Sequence, residues 1–519
     1  MWGIAGIVSI NTNLVLHNRL QAKANALQHR GPDGEGFWIN QYNNVGLAHR
    51  RLSIIDLSNA ASQPMHYINR YTITYNGEIY NYIELREALK KKGYYFYTQS
   101  DTEVILAAYD CYKENCLQHF DGMFAFAIWD EQEQNLFAAR DRFGEKPFHY
   151  FFDEEQFVFA SEMKALWAID IPKKPNNSML VNYLTIGYTN NALHPEQTFF
   201  KNIYRLPAAS RLNYNLRSKE LKIEKYWDLE KEQKTTFSID EAQQKFQALF
   251  FDSVNKRLRS DVAVGTSLSG GLDSSSIVAA IQQSNKQHQT PNIKQQTFSA
   301  IFPGFEKDES KYIAQITQQF NLKNHTVEPT AEGFINDFEK LMYYQEEPIQ
   351  SASIYAQYKV YELAKQHGVT VLLDGQGADE ILAGYTKYYH WFWQQLLRAK
   401  QLNSLKKERQ ATTNKVDWSY KNYFAAFAPS LAAKQLENNL YKKIKANSFI
   451  NTDFFLQHFD KTILYKPVVE KLNDILYYNT LQSGLEDLLR YADRNSMAHS
   501  REVRLPFLNH ELVQFIFSL

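Results

Sequence analysis

Short apolar runs dominate the first half of this chain. Trp2 to Ile10 is nearly continuous in apolar character, the pattern of a buried strand at the N-terminus. Val45 to Arg51 and Tyr71 to Tyr75 read as further strands, the second ending in Asn76-Gly77-Glu78, and His29 to Asp33 as a turn. Ile83 to Lys92 is amphipathic at helical spacing, and Phe124 to Trp129 with Leu136 to Arg140 reads as a hairpin pair. Many short strands with few helices predict a layered α+β unit. Residues 228–240 are charged, lack a core pattern and read as a linker. Glu241 to Arg259 then forms an amphipathic helix with Phe246, Leu249, Phe250, Val254 and Leu258 on one face. Strands at Val262 to Leu268, Thr297 to Phe302, His325 to Val327 and Val369 to Leu373 alternate with helical stretches such as Tyr355 to His367. That alternation predicts a doubly wound parallel sheet.

Composition narrows the picture. A chain of 519 residues implies about two to four domains, and 44% hydrophobic residues suffice for packed cores. Lys+Arg 57 and Asp+Glu 57 cancel, so overall charge favours neither nucleic acid nor an anionic membrane. The 33 Tyr and 34 Phe are scattered, as core residues are. Cys111 and Cys116 exclude a disulfide scaffold and, with no His or Cys cluster nearby, read as ordinary intracellular thiols. Met1 to Ile10 has no basic flank or cleavage pattern, and no apolar run reaches membrane-spanning length. A soluble cytoplasmic protein is expected.

The densest chemistry lies in V-A-V-G-T-S-L-S-G-G-L-D-S-S-S, Val262 to Ser276. An apolar strand, a Ser-Gly-Gly turn and a helix start aim backbone N–H groups at a phosphate. Ser269, Ser274 and Ser275 add hydroxyl donors, and Asp273 suits a magnesium ion bridging phosphate oxygens. No Gly-Lys-Ser/Thr follows, so this is not the Walker loop. S-G-G-L-D-S-S resembles instead the pyrophosphate loop of ATP pyrophosphatases, which activate a carboxylate or carbonyl as an adenylate.

The first half resembles the class-II glutamine amidotransferase domain. The resemblance rests on G-I-A-G-I at Gly3 to Ile7, H-R-G-P-D at His29 to Asp33, R-L-S-I-I-D-L at Arg51 to Leu57 and Y-N-G-E-I-Y-N at Tyr75 to Asn81. It continues through S-D-T-E at Ser100 to Glu103, G-M-F-A-F-A at Gly122 to Ala127 and R-D-R-F-G at Arg140 to Gly144. It implies an N-terminal-nucleophile four-layer sandwich over residues 1–227. It also implies a glutamine site at Arg51, Leu52, Ser53, Ile54, Ile55, Asn76, Gly77, Glu78 and Asp101. Arg51 and Asp101 would hold the ends of glutamine, and the Asn76 side chain with the Gly77 N–H would form an oxyanion hole. One position departs. Members of that family carry a cysteine nucleophile after the initiator methionine, and here position 2 is Trp2. An indole supplies no nucleophile, is large enough to fill the glutamine pocket, and leaves Met1 in place. A silent glutaminase is expected.

The second half resembles the glutamine-dependent asparagine synthetase family. Its pieces are L-S-G-G-L-D-S-S, D-E-S-K-Y, E-E-P-I at Glu346 to Ile349, D-G-Q-G-A-D-E-I-L-A-G-Y at Asp374 to Tyr385, and Y-A-D-R-N-S-M-A-H-S-R-E-V-R-L-P-F-L at Tyr491 to Leu508. The resemblance implies an ATP-pyrophosphatase domain over 241–519 that amidates aspartate through a β-aspartyl adenylate. Leu268, Ser269, Gly270, Gly271, Asp273, Ser274, Ser275, Ala300, Asp374 and Gly375 would contact ATP. Asp273 and Asp379 would hold Mg2+, and Gln376 and Glu380 would sit among the catalytic groups. Arg494, Glu502 and Arg504 are further candidates for aspartate contact, or else an ion-pair network. Gln376 stands where the family often has a titratable glutamate, and Asn509 where aspartate is usual. Leu512, Phe515, Ile516 and Leu519 keep helical spacing to the end with no stop signal. Family members continue beyond this point and supply a lysine to the phosphates, so the chain is expected to be truncated.

Three readings follow. The first is an ammonia-using ligase acting on aspartate, its partners being small molecules (aspartate, ammonia, glutamine if the pocket still binds it), with a homodimer left open. The second is a relative that amidates or cyclises another carboxylate, as β-lactam synthetases do. The third is a non-catalytic binding module.

Overall fold

The computed structural model describes residues 2–519 apart from 233–234, 288–293, 413–415 and 448. Twelve strands among the described residues build the N-terminal half. They are β1 (Gly3–Ser9), β2 (Gly34–Ile39), β3 (Val45–Arg51), β4 (Met65–Tyr67), β5 (Tyr71–Ile79), β6 (Gly122–Asp130), β7 (Asn135–Arg140), β8 (His149–Phe152), β9 (Gln156–Ala160), β10 (Tyr204–Arg205), β11 (Ser210–Asn215) and β12 (Leu221–Lys225). They form two antiparallel six-stranded sheets, ordered β10-β8-β9-β1-β3-β2 and β12-β11-β7-β6-β5-β4.

Alternation along each strand decides what packs where. Ile4 and Val8 meet Ala125, Ala127 and Trp129 of the opposite sheet in a core between the two sheets. Ala5 and Ile7 face the other way, onto Leu20, Ala24 and Leu27 of the first helix and its exit. On the far side, Ile73, Tyr75, Phe124 and Phe126 pack on Val104, Ile105 and Ala108 of the helix Asp101–Tyr112. Helix, sheet, sheet, helix is the expected four-layer sandwich. The strand expected to stop at Tyr75 runs on to Ile79, because Gly77 can follow β6 closely. Its φ is +148°, and a Cβ there would fall 2.0 Å from the Met123 carbonyl oxygen.

The stretch after β12 is laid onto the second half. Leu229 is buried in that half's core, and Thr235 Oγ1 donates to the Ser518 carbonyl at 2.8 Å. Ser238 then caps the helix Ile239–Arg257 in a reciprocal box with Glu241.

Five strands make the second domain's sheet: β13 (Val264–Ser267), β14 (Gln296–Ala300), β15 (Lys323–Val327), β16 (Val371–Leu373) and β17 (Glu502–Arg504). All neighbours pair in parallel, in the order β15-β14-β13-β16-β17. The chain moves from β13 out to β15 and then returns to the other side of β13. The order therefore reverses between β13 and β16, where such sheets bind ligands beyond their carboxyl ends. β17 lies inside the Tyr491 to Leu508 motif without a strand pattern of its own, and no motif announced the helices between Tyr388 and His458.

Candidate active sites

The two turns that carry chemistry leave adjacent strands at that reversal. After β13, Leu268 is buried; its N–H donates to the Phe298 carbonyl at 2.9 Å, and its carbonyl accepts from Ser299 Oγ at 2.6 Å. Gly270 takes φ +81°, and a Cβ there would meet Tyr312 Cβ at 2.9 Å, so only glycine makes the turn without displacing the helix Ser310–Gln319. The Ser269 and Ser274 hydroxyls lie 3.2 Å apart, and Gly271 N–H donates to Ser269 Oγ at 3.3 Å. The helix begins at Leu272, so Asp273 lies in its first turn. Ser275 Oγ is buried without a hydrogen-bond partner among the described residues. Ala300 ends β14 beside this loop, in the adjacent parallel strand.

After β16 the chain forms Asp374 to Gly377 and then the short helix Ala378–Ile381. Asp374 accepts from Tyr361 O–H at 3.1 Å, and burial raises its pKa. Gly375 lies against Asp273: a Cβ there would touch Asp273 Cβ at 3.0 Å. Gly384 lies under Asp379, where a Cβ would fall 1.8 Å from Oδ1. Gly375 sets how closely the two turns approach, and Gly384 leaves room for the Asp379 carboxylate. Burial and the charges of Asp379 and Glu380 push the Asp273 carboxyl up to about 6. Burial also raises Asp379 and Glu380, the latter accepting from Tyr385 O–H at 2.6 Å. Lys387, stacked 5.0 Å over the Tyr385 ring, is the cation that acts on Glu380. Gln376 Oε1 is buried with no hydrogen-bond partner among the described residues.

This set suits a hard divalent cation. Among the described residues no three or more His, Cys, Asp or Glu are placed to hold a metal alone. Mg2+ characteristically takes one or two carboxylates and completes its shell with phosphate oxygens and water.

In the N-terminal half, Trp2 is 3% exposed. Its indole N–H donates to the Leu52 carbonyl at 2.6 Å, and its ring stands edge-on to His49 at 5.4 Å and Tyr75 at 5.2 Å. Leu52, Ile54 and Ile55 join the same apolar cluster. The Trp2 backbone N–H donates to Asn76 Oδ1 at 2.8 Å, which leaves Asn76 Nδ2 buried without a partner among the described residues. Arg51 is turned to the Asp56 and Ser58 carbonyls at 2.5 and 2.9 Å. Ser53 N–H donates to Asp33 at 2.8 Å. Asp101 accepts from Tyr75 O–H at 2.8 Å and Ile79 N–H at 3.0 Å, and burial pushes its carboxyl up to about 6. Glu78 is buried, with burial and the Glu502 charge raising its pKa well above the usual range.

Three candidates for aspartate contact are engaged elsewhere. Arg494 pairs with Glu346 at 2.8 Å and Glu162 at 3.0 Å; Arg504, fully buried, holds Glu502 at 2.6 Å and the Arg257 and Arg259 carbonyls. Arg494 reaches Glu162, and Arg504 lies 3.7 Å from Glu78, so both join the ion-pair network between the halves. Residues that sequence reasoning left without a role complete it. Arg30 of H-R-G-P-D meets Asp493 of Y-A-D-R-N through two bonds of 2.9 Å, and Glu162 at 2.7 Å. Glu346 accepts from the Met163 and Lys164 N–H groups, and Glu347 from Phe199 N–H and Arg490. For Arg30, Asp493, Glu346 and Glu347 the only signal was a charge inside a motif, and Glu162 and Arg490 lie in no motif.

Residues 1–227 match the glutamine amidotransferase domain family, and residues 245–519 match the asparagine synthase family. A glutamine-hydrolysing asparagine synthetase of Methanocaldococcus jannaschii is 35% identical over 418 residues, 77% of this chain and 78% of that protein. Glutamine-hydrolysing asparagine synthetase 3 of Bacillus subtilis is 31% identical over 546 residues, 100% of this chain and 81% of that protein. Asparagine synthetase 1 of the same organism is 32% identical over 501 residues, 93% of this chain and 74% of that protein.

Proposed function

The chain belongs to the asparagine synthetase family of ATP-dependent carbon–nitrogen ligases, and on that premise we propose that it amidates aspartate with free ammonia, its own glutaminase being silent. The observation that carries the synthetase reading is the junction at the sheet's order reversal. A phosphate-suited loop from β13 faces Asp379 and Glu380 after β16, with Gly375 fixing the approach and Gly384 seating the Asp379 carboxylate. Backbone N–H groups around Gly270 and Gly271, with the hydroxyls of Ser269, Ser274 and Ser275, would bind the pyrophosphate portion of ATP. Asp273 and Asp379 would hold Mg2+, which supplies charge neutralisation at phosphate oxygens. The acceptor carboxylate oxygen bonds to the α-phosphorus and pyrophosphate leaves. Ammonia then bonds to the activated carbonyl carbon and AMP leaves. Ammonium must first lose a proton, and Glu380 is the buried carboxylate assigned to take it; Gln376 cannot titrate.

What supports the silent glutaminase is Trp2. Its side chain occupies the apolar end of the expected glutamine pocket and offers neither thiol nor free lone pair. The test is ATP–pyrophosphate exchange with a panel of carboxylates, followed by AMP formation with ammonium chloride. Asp273→Ala should reduce exchange at least a hundredfold. Unchanged exchange in that variant sinks the site assignment.

A second reading, another carboxylate acceptor, is favoured by Gln376. Its buried, unpartnered amide oxygen asks for a donor that aspartate need not supply in the same place. Exchange with a different acid and none with aspartate would select this reading.

A further inference from the structure

The zero net charge of the chain hides a local excess. Between Arg398 and Lys445 the sequence holds eleven Lys and Arg against three Asp and Glu, a net +8, so the remainder carries −8. This stretch belongs to the helical region that no sequence motif announced. Its acidic groups are Glu408, Asp417 and Glu437, and Glu437 is already occupied in accepting from Lys466 N–H at 3.1 Å. Among the described residues no acidic partner meets Lys421, Lys434, Lys442, Lys443 or Lys445.

The helix Tyr420–Phe427 in this stretch is inside out. Ala426 is fully buried, while Tyr420, Phe424 and Phe427 stand 78%, 52% and 70% exposed. Their spacing of i, i+4 and i+7 places them on one face. The next helix, Pro429–Lys445, follows after one residue. Leu431, Lys434, Lys442 and Lys445 lie along its outward side at i, i+3, i+11 and i+14, all exposed. Between these helices and Trp391 a cleft of about 540 Å³ opens, walled by Phe424, Leu436 and Val469 with Lys421 at its edge. A soluble surface seldom leaves adjacent aromatics outward and small residues inward; such a patch marks an interaction face.

We propose that this face docks on an anionic lipid surface. Tyr420, Phe424 and Phe427 would enter the headgroup boundary, and the flanking lysines would face lipid phosphates. Aromatic anchors on one face and lysines on the same and the following helix are the makeup of an interfacial docking face, and Lys421, Lys434, Lys442, Lys443 and Lys445 supply the charge complement. A single-stranded nucleic acid would instead call for a groove with aromatics spaced between basic residues along a track. The inference is independent of the acceptor and of the glutaminase.

The experiment is co-sedimentation of the full chain with phosphatidylcholine vesicles, with and without about 30% phosphatidylglycerol, at low and high salt. Binding to the anionic vesicles alone, released by salt, is expected. Tyr420→Ser with Phe424→Ser and Phe427→Ser should lower the partition coefficient at least tenfold, as should Lys434→Gln with Lys442→Gln and Lys445→Gln. All six side chains point outward, and circular dichroism checks that each variant is folded. Absence of binding by the folded parent overturns the proposal, as does unchanged binding in both triple variants. A concentration-dependent dimer dispersed by the aromatic substitutions would give the face to a second copy. Equally tight binding of RNA, lost in the lysine variant, would give it to nucleic acid; either result also overturns the proposal.

Discussion

Replacing Trp2 by cysteine tests both halves of the argument about the N-terminal pocket. The indole is 3% exposed and enclosed by Leu52, Ile54 and Tyr75. Truncating a buried tryptophan costs roughly 3–5 kcal/mol from lost transfer energy and the cavity left behind. The Leu52 carbonyl also loses its 2.6 Å donor, which adds about 1 kcal/mol. A sulfur atom recovers part of the volume, so the net loss should be about 3–5 kcal/mol. For a domain of roughly 200 residues, 1 kcal/mol moves the melting midpoint by about 2–4 °C. Thermal unfolding of Trp2→Cys should therefore begin roughly 10 °C lower, whereas Trp2→Phe, which keeps most of the ring, should lose about a third of that. A midpoint within a degree of the parent would refute the claim that the indole fills this site. Glutamate release from glutamine gives the chemical readout. The parent should match a heat-killed control, and release above it would show that the domain is not silent. Trp2→Cys should regain hydrolysis only if Met1 is removed and Arg51 leaves the Asp56 and Ser58 carbonyls to meet substrate.

Two further outcomes follow from the geometry. Gly384→Ala places a methyl group 1.8 Å from Asp379 Oδ1, so the carboxylate must move; pyrophosphate exchange should fall at least tenfold while the melting midpoint shifts by only a few degrees. Glu145 is buried, and burial pushes its carboxyl up to about 8, chiefly by penalising the charged form. The unfolded chain releases this proton near the ordinary carboxylate pKa, so the penalty grows as pH rises to about 8 and is absent below the unfolded value. Glu145→Gln should consequently raise the melting midpoint at pH 8 and leave it nearly unchanged at pH 4.5; equal effects at both would show that ionisation is not the cause.

Local signals carried far in this chain. The Ser-Gly-Gly turn, the strand before it and the helix after it were legible because each depends on its own residues: apolar strand, flexible turn, helix start. The four-layer half was legible through its many short apolar runs, such as Trp2 to Ile10. Four things were not. Strand β17 is three residues long, too short for any periodicity to register, and is fixed by pairing with β16. Arg30 and Asp493 lie 463 positions apart, and nothing near either one names the other. Arg504 looked available for substrate because its charge is visible in the sequence, while its burial against Glu502 and two carbonyls is not. The basic helical stretch escaped notice for the opposite reason: charges summed over the whole chain cancel.

Arg30, fully buried between Glu162 and Asp493, also bears on how such a protein can change over generations. Cutting the chain near residue 227 would strand Asp493 without Arg30 and strip Glu346 and Glu347 of the Met163, Lys164 and Phe199 N–H groups, leaving them to Arg494 and Arg490, and an uncompensated buried charge costs several kcal/mol. The first half is therefore a wall of the second, whatever its pocket does. A lineage that no longer drew on glutamine could lose the nucleophile in one codon, yet deleting the domain would require many simultaneous repairs. Loss of chemistry is a short step here, and loss of the scaffold a long one. A domain left without a reaction would persist as architecture, free to drift in its pocket and held constant along its seam.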